Sequence, residues 1–231
     1  ILTPYFLSLT NIINILRQNA VITILAVGQL FVILTGGIDL SVGSIVALSS
    51  CLIAGLLNTE VFPVLAVIIV LLIMAVIGGI SGSLISYGKA APFLVTFSMM
   101  SVIRGVAYNY QVGLDLRINN KSFINGIIGQ INQFPLLIFY MFIIIIIMAF
   151  ILKKTVFGRI IVAIGGSKEI CRSAGINVEN YIIAVYSISG VLAGFAGIVL
   201  AAMLSMGTAL VGTGYEIDAI TAVLVGGAAL T

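Results

Sequence analysis

The sequence contains no histidine, no tryptophan and very little charge. Without histidine, the chain cannot build Ser-His or Cys-His catalytic pairs, and it lacks the commonest nitrogen ligand of metal ions. Two cysteines, Cys51 and Cys171, are too few for a disulfide framework or a cysteine metal site. Basic runs typical of nucleic-acid binding and phosphate-binding glycine loops are also missing. We therefore expect no catalytic residue, no metal, no cofactor and no nucleic-acid partner for this chain.

Apolar residues make up 61% of the 231-residue chain, and charged residues only 7%. Soluble domains contain about 45–50% apolar and about 25% charged residues, so this chain cannot cover a water-facing surface. The composition predicts an all-α, polytopic transmembrane helix bundle that forms a single domain over residues 1–231. Because the chain starts at Ile1 and stops at Thr231 within an apolar run, we expect it to be truncated at both ends.

Seven apolar runs are candidates for membrane-spanning helices, since a crossing takes about 20 apolar helical residues. They cover residues 20–35, 44–57, 64–87, 95–103, 136–152, 181–204 and a run that starts near Ala219. Several runs are shorter than a full span, which predicts short or discontinuous helices. Small residues at a spacing of four, such as Gly78 with Gly82 and Gly190 with Gly194, predict close helix packing.

The distribution of basic residues predicts the orientation of the bundle, since short cytoplasmic loops are rich in lysine and arginine. The stretch 153–180 contains five basic residues against two acidic ones, so we place it in the cytoplasm. Counting spans from this loop puts Lys89 inside the cell. The same count puts Glu60 and the stretches 111–135 and 205–215 outside.

Residues 35–44 interrupt the first long apolar stretch with an acid, two serines, a threonine and three glycines. The 38 residues 20–57 are too few for two full spans and an exposed loop, so the chain must turn within or close to the membrane. We favour Asp39 or Ser41 as a cap of the following helix; contact of these groups with a transported solute is the alternative. A similar Ile-Asp pair occurs at Ile217-Asp218, which either reflects an internal repeat or is a coincidence. The candidate translocation residues are Thr35, Asp39, Ser41, Ser44, Glu216 and Asp218.

Arg104 is a charged residue beside the fourth apolar run. We interpret it as a snorkelling side chain whose head reaches the lipid interface, because Tyr108 and Tyr110 are typical of the headgroup region. A charge paired inside the bundle is the alternative.

The cytoplasmic stretch 153–180 is predicted to contain a short amphipathic helix that Ser167 caps and Gly175 ends. Ile170 and Ala174 form its modest apolar face. A connector needs only a few residues whereas this one has 28, so we predict that the helix docks on another protein. The candidate docking residues are Phe157, Gly158, Arg159, Gly165, Gly166, Ser167, Lys168, Glu169, Ala174, Gly175 and Ile176.

A set of motifs follows one order along nearly the whole chain. They are VILTGGIDLSVGS at 32–44, Gly88, PFLVT at 92–96, RG at 104–105, TVFGR at 155–159, AIGG at 163–166, SAGI at 173–176 and GYEIDAI at 214–220. As a set they resemble the ribose/simple-sugar permease family of ATP-binding-cassette importers. The resemblance implies a multi-pass permease of the bacterial cytoplasmic (inner) membrane that is not itself an enzyme.

The same resemblance implies several partners. Cytoplasmic ATP-binding-cassette ATPases would bind ATP and Mg²⁺, an extracytoplasmic sugar-binding protein would deliver the solute, and a second permease copy would complete a homo- or heterodimer in the lipid bilayer. The docking residues between Phe157 and Ile176 resemble the family's coupling helix, which seats on the ATPase.

A stand-alone facilitator or an ion-coupled secondary transporter of small polar solutes is the alternative function. Such proteins also use broken helices near the membrane middle. They would leave the long cytoplasmic loop helix unexplained, and a co-purifying ATPase would distinguish the two classes.

Overall fold

The computed structural model describes residues 6–59, 61–131 and 134–228. Within these ranges the chain forms ten helices and two short strand pairs. The helices are α1 (Leu9–Leu34), α2 (Val42–Asn58), α3 (Pro63–Ser86), α4 (Pro92–Gln111), α5 (Lys121–Ile128), α6 (Leu136–Lys154), α7 (Val156–Gly166), α8 (Lys168–Ser173), α9 (Val178–Leu204) and α10 (Tyr215–Val225). The strands are β1 (Leu116–Arg117), β2 (Gln130–Ile131), β3 (Phe134–Pro135) and β4 (Met206–Gly207). Four described helices, α1, α3, α6 and α9, are long and apolar enough to cross a membrane. The prediction of an all-α transmembrane bundle is confirmed.

The helices coincide with the predicted apolar runs, but two of them are longer than predicted. Helix α1 begins at Leu9, because the side chain of Ser8 caps the amide of Asn11 at 3.3 Å. Helix α4 extends beyond Ile103 to Gln111. Hydropathy did not identify these terminal helical turns, because they contain polar residues such as Arg17. A helix accommodates such residues at the end of a membrane span.

Helix α9 is the central helix of the bundle and packs through two faces of small residues. On one face, a Cβ at Gly78 of α3 would collide with the carbonyl of Tyr186, and a Cβ at Gly190 would collide with the carbonyl of Met74. On the other face, Gly197 lies against the backbone of α2, and Ser189 lies against α1. The predicted close packing is confirmed, and it lets α9 contact α1, α2 and α3 at once.

Contacts at the two ends of the bundle agree with the predicted sides of the loops. Strand β1 pairs antiparallel with β4, and the amide of Ile118 donates to the carbonyl of Ser205 at 2.9 Å. At the opposite end, the hydroxyl of Tyr87 donates to Asn180 Oδ1 at 3.3 Å. Residues 116–118 and 205–207 therefore lie together, and the end of α3 before Lys89 lies beside the start of α9. Glu60, Ile1 and Thr231 lie outside the described residues.

The orientation itself can be tested with single cysteines. Glu169→Cys in α8 should resist a membrane-impermeant thiol reagent in intact cells, whereas Leu114→Cys in the opposite loop, which is 78% exposed in the wild type, should be labelled. The native Cys51 and Cys171 are both buried and give a low background. Labelling of Glu169→Cys but not of Leu114→Cys would show that the orientation is inverted.

Candidate translocation and coupling sites

The predicted break is a seven-residue segment, Thr35 to Ser41, between α1 and α2. Thr35 closes α1 with a bond from its hydroxyl to the carbonyl of Val32 at 2.8 Å, and Gly36 then turns the chain with a φ of +73°. A left-handed φ favours glycine, which has no Cβ to clash. Thr35, Asp39 and Ser41, and Ser44 in the first turn of α2, are exposed by 2% or less. The polar side chains of the break are therefore enclosed by protein, whereas its backbone reaches the surface at Gly36, which is exposed.

The carboxylate of Asp39 bonds within the break and to helix α9. Its Oδ1 accepts from the backbone amide of Ser41 at 3.0 Å and from the hydroxyl of Ser41 at 2.6 Å. Its Oδ2 accepts from the hydroxyl of Ser189 on α9 at 2.9 Å. Asp39 thus satisfies the amide of Ser41, the residue before α2, and neither its side chain nor that of Ser41 caps the amides of the first turn of α2.

Other side chains cover the carbonyl of Ile38 in the same segment. The hydroxyl of Thr96 on α4 donates to it at 3.1 Å, and that of Tyr186 on α9 approaches it at 3.5 Å. Sequence reasoning did not single out Ser189, Thr96 or Tyr186 as polar partners of the break. Thr96 lies in the PFLVT motif at 92–96, and Ser189 lies in a stripe of small residues. Neither pattern identifies a hydrogen-bond partner in the distant segment 35–41.

Two buried polar side chains near the break have no hydrogen-bond partner among the described residues. They are Gln29 of α1, through both amide atoms, and Ser44 of α2, through its hydroxyl. A buried polar group without a partner costs about 1–3 kcal/mol, so each would gain from a water molecule or a hydroxyl-bearing solute. Gln29 was missed because a single amide in an apolar helix gives no periodic signal.

The two acidic candidates of α10 differ from each other. Glu216 is half-buried, and its Oε1 accepts from the amide of Gly214 at 3.3 Å. Its Oε2 lies so close to Gly43 that a Cβ at position 43 would collide with it. Asp218 is exposed in the first turn of α10. Asp39 is buried in an irregular segment, so the two Ile-Asp pairs occupy different environments. Glu216, and not Asp218, is the acid beside the start of α2.

Arg104 does not snorkel to the lipid interface. Its Nη1 donates to the carbonyls of Ala209 and Val211, both at 2.6 Å, and the amide of Ala209 donates to Gln111 Oε1 at 2.6 Å. These bonds attach the segment after β4 to α4. The snorkelling interpretation is wrong because backbone carbonyls more than 100 residues away in the chain accept the guanidinium's bonds.

The stretch 153–180 contains two helices instead of the single predicted one. Helix α8 matches the prediction: Ser167 Oγ accepts from the amide of Ile170 at 3.2 Å, and Gly175 follows the helix with a φ of +79°. Helix α7 precedes it, because Thr155 ends α6 and accepts from the amide of Gly158 at 3.2 Å. The apolar sequence of α7 resembles a continuation of α6, which is why it was missed.

The candidate docking residues divide into an inward and an outward group. The ring of Phe157 packs on Tyr181 at 5.6 Å between centroids, Gly158 lies against the carbonyl of Leu152, and Gly165 against the carbonyl of Leu34. The members of the set that are exposed are Arg159, Gly166, Glu169, Ala174 and Gly175, and the half-buried ones are Ser167, Lys168 and Ile176.

Helix α8 turns an apolar residue outwards. Ile170 is 72% exposed, whereas Cys171 packs into the bundle. Partial burial, and then the nearby charge of Arg172, lower the pKa of Lys168. The inward residues fix α7 on the bundle, and the outward residues leave α8 available for contact with another molecule.

Comparisons with known proteins agree with this architecture. The family described as branched-chain amino acid transport system / permease component matches residues 11–230. The chain is 39% identical to the ribose import permease protein of Haemophilus influenzae over 99% of this chain and 72% of that protein. It is 42% identical to the ribose import permease protein of Bacillus subtilis over 100% of this chain and 72% of that protein. It is 34% identical to the D-allose transport system permease protein of Escherichia coli over 96% of this chain and 69% of that protein. No solved structure matches the chain.

The family match covers nearly the whole bundle, including the break after α1 and the helices α7 and α8. The apolar helices agree with a location in the bacterial inner membrane. The chain therefore belongs to the branched-chain amino acid transport system / permease component family, and it is a multi-pass permease of that membrane.

Proposed function

We propose that this chain is the permease subunit of an ATP-binding-cassette importer that carries ribose or a related simple sugar. The observation that carries the proposal is the 39–42% identity to ribose import permeases over 99–100% of the chain. The D-allose permease, at 34% identity, supports the same substrate class. The buried unpartnered groups of Gln29 and Ser44 are of the kind that bind sugar hydroxyls or water when a bundle opens.

We propose that the energy comes from cytoplasmic ATPases that bind ATP and Mg²⁺, because the sequence has no phosphate-binding loop of its own. An extracytoplasmic sugar-binding protein delivers the solute, and a second permease copy completes the pathway. The exposed face of α8 provides the contact for the ATPase.

The packing suggests how motion at α8 reaches the membrane interior. Helix α7 leads directly into α8, and its Gly165 lies against the carbonyl of Leu34 at the end of α1. The break begins at the next residue, Thr35. A displacement of α7 therefore acts first on the turn that connects α1 and α2, since rigid helices transmit movement through such close contacts.

Reconstitution tests the function directly. The full-length permease, in proteoliposomes with its ATPase and binding protein, should take up labelled ribose only when ATP is present on the ATPase side. Uptake driven by an ion gradient without ATP would favour a secondary transporter. Uptake without ATP or a gradient would favour a facilitator.

Charge reversal on α8 tests the coupling role. Glu169→Lys should lower uptake at least about tenfold, which corresponds to about 1.4 kcal/mol of lost contact with the ATPase. Because Glu169 is exposed, the variant should insert and fold normally. Lys154→Glu at the end of α6, also exposed but outside the docking residues, is the control and should keep wild-type uptake. Equal uptake by both variants would remove the coupling role from α8.

A further inference from the structure

A polar cavity of about 420 Å³ lies at the end of the bundle that carries α8. It is formed where the connection between α3 and α4 meets α8 and the start of α9. Its polar lining consists of Ser86, Lys89, Lys168 and Arg172, with Pro92 and Ile182 among its apolar walls. None of the residues 35–41 of the break lines this cavity.

The cavity has an excess of positive charge. Arg172 is paired, because its Nη2 and Nε donate to Glu179 Oε1 at 2.7 and 3.0 Å. Lys89 and Lys168 have no carboxylate within 4.0 Å among the described residues. Lys89, Lys168 and Arg172 face the single carboxylate of Glu179, whose charge also acts on Lys89, so a net positive charge remains that an anion can neutralise.

Two further features indicate that the cavity is built for a ligand. Ser86 is only 6% exposed, and its Oγ has no hydrogen-bond partner in the described part of the chain. Lys89 has a φ of +52°, a conformation that costs energy for a residue with a side chain. A buried hydroxyl without a partner and a strained lysine both line the same cavity.

An apolar surface adjoins this cavity on the membrane side. On α4, next to the cavity wall, Phe93 and Leu94 are 58% and 61% exposed. An anion with acyl chains fits this arrangement better than a free ion, because its tails would cover these side chains.

We propose that this cavity binds the phosphate headgroup of an anionic phospholipid in the cytoplasmic leaflet. Lys89 and Lys168 neutralise the phosphate charge, and Ser86 donates a hydrogen bond to a phosphate oxygen. Basic cavities between helices at the cytoplasmic side are suited to such headgroups. The assignment to the cytoplasmic leaflet rests on the orientation of the proposed permease. Lipid binding is measured without transport, so the lipid site and the transport function can each fail independently.

Native mass spectrometry of the full-length permease tests the site after reconstitution with phosphatidylglycerol and phosphatidylcholine. Wild type should retain phosphatidylglycerol in preference to phosphatidylcholine. Lys89→Asn combined with Lys168→Gln should weaken that retention about thirty-fold, the factor that two cations near a membrane surface contribute. Asparagine is chosen for position 89 because it tolerates a positive φ.

A second variant and a matched control make the test specific. Ser86→Ala should weaken retention about tenfold, since it removes one hydrogen bond to a charged group and breaks no side-chain bond within residues 6–59, 61–131 and 134–228. The double variant Lys153→Gln and Lys154→Gln removes two exposed lysines outside the cavity and should retain lipid like wild type.

Three results would overturn the proposal. Unchanged retention in the Lys89 and Lys168 double variant would show that the cavity does not bind the lipid. Equal loss in the Lys153 and Lys154 variant would indicate nonspecific attraction. Displacement of the lipid by millimolar inorganic phosphate, with no preference between phospholipids afterwards, would assign the cavity to a free anion.

Discussion

Asp39→Leu is expected to prevent assembly of the permease, whereas Asp39→Asn should assemble and retain much of the uptake. Leucine leaves three donors without their acceptor, the amide and hydroxyl of Ser41 and the hydroxyl of Ser189. At about 1–3 kcal/mol for each buried unpaired group, the total loss is at least about 3 kcal/mol. Asparagine keeps an oxygen for Ser41 and offers an amide hydrogen to the Ser189 oxygen, so most bonds survive.

The measurements are the monodisperse fraction after solubilisation and sugar uptake in proteoliposomes. Ser189→Ala is the matched control, because it removes the partner of Oδ2 and leaves the bonds to Ser41 intact. It should lower stability by about 1–3 kcal/mol without preventing assembly. A well-assembled Asp39→Asn permease with no uptake would contradict a purely structural role and assign the carboxylate charge to solute contact or gating.

Gly78→Val should separate α3 from α9 and destabilise the bundle by about 3 kcal/mol. Even a Cβ at this position would collide with the carbonyl of Tyr186, which is backbone and cannot rotate away. The α3–α9 contact is the most extensive between helices of the described chain, so a displacement there also disturbs Ser189 and Tyr186 at the break. Thermal unfolding in detergent, together with the yield of monodisperse protein, measures the effect.

Gly105→Val on α4 is the control for this substitution. No heavy atom lies within 4 Å of a Cβ built at Gly105, so valine should be accommodated with a change below about 1 kcal/mol. Equal stability of the Gly78 and Gly105 variants would mean that α3 and α9 do not approach as closely as their glycines allow.

The amino-acid sequence was sufficient for the features that depend on local chemistry or on the bilayer. The apolar composition required a membrane bundle, because so few charged residues cannot solvate a surface. The caps of α8 were predictable, since Ser167 and Gly175 act on amides and turns within a few residues. The small-residue spacing likewise identified the contact faces of α3 and α9.

The partners of the polar groups were decided by the tertiary structure alone. Asp39 bonds to Ser189 across 150 positions, and Arg104 bonds to Val211 across 107. Local patterns favoured a cap of α2 for Asp39 and a lipid-interface position for Arg104, whereas Asp39 bonds to Ser41, the residue before α2, and Arg104 bonds to distant carbonyls. Hydropathy measures how readily a segment leaves water, and it carries no information on which distant donor or acceptor will be adjacent. In an interior with little water, that adjacency determines whether a polar side chain stabilises the bundle, as Asp39 does, or finds no partner among the described residues, as is the case for Gln29.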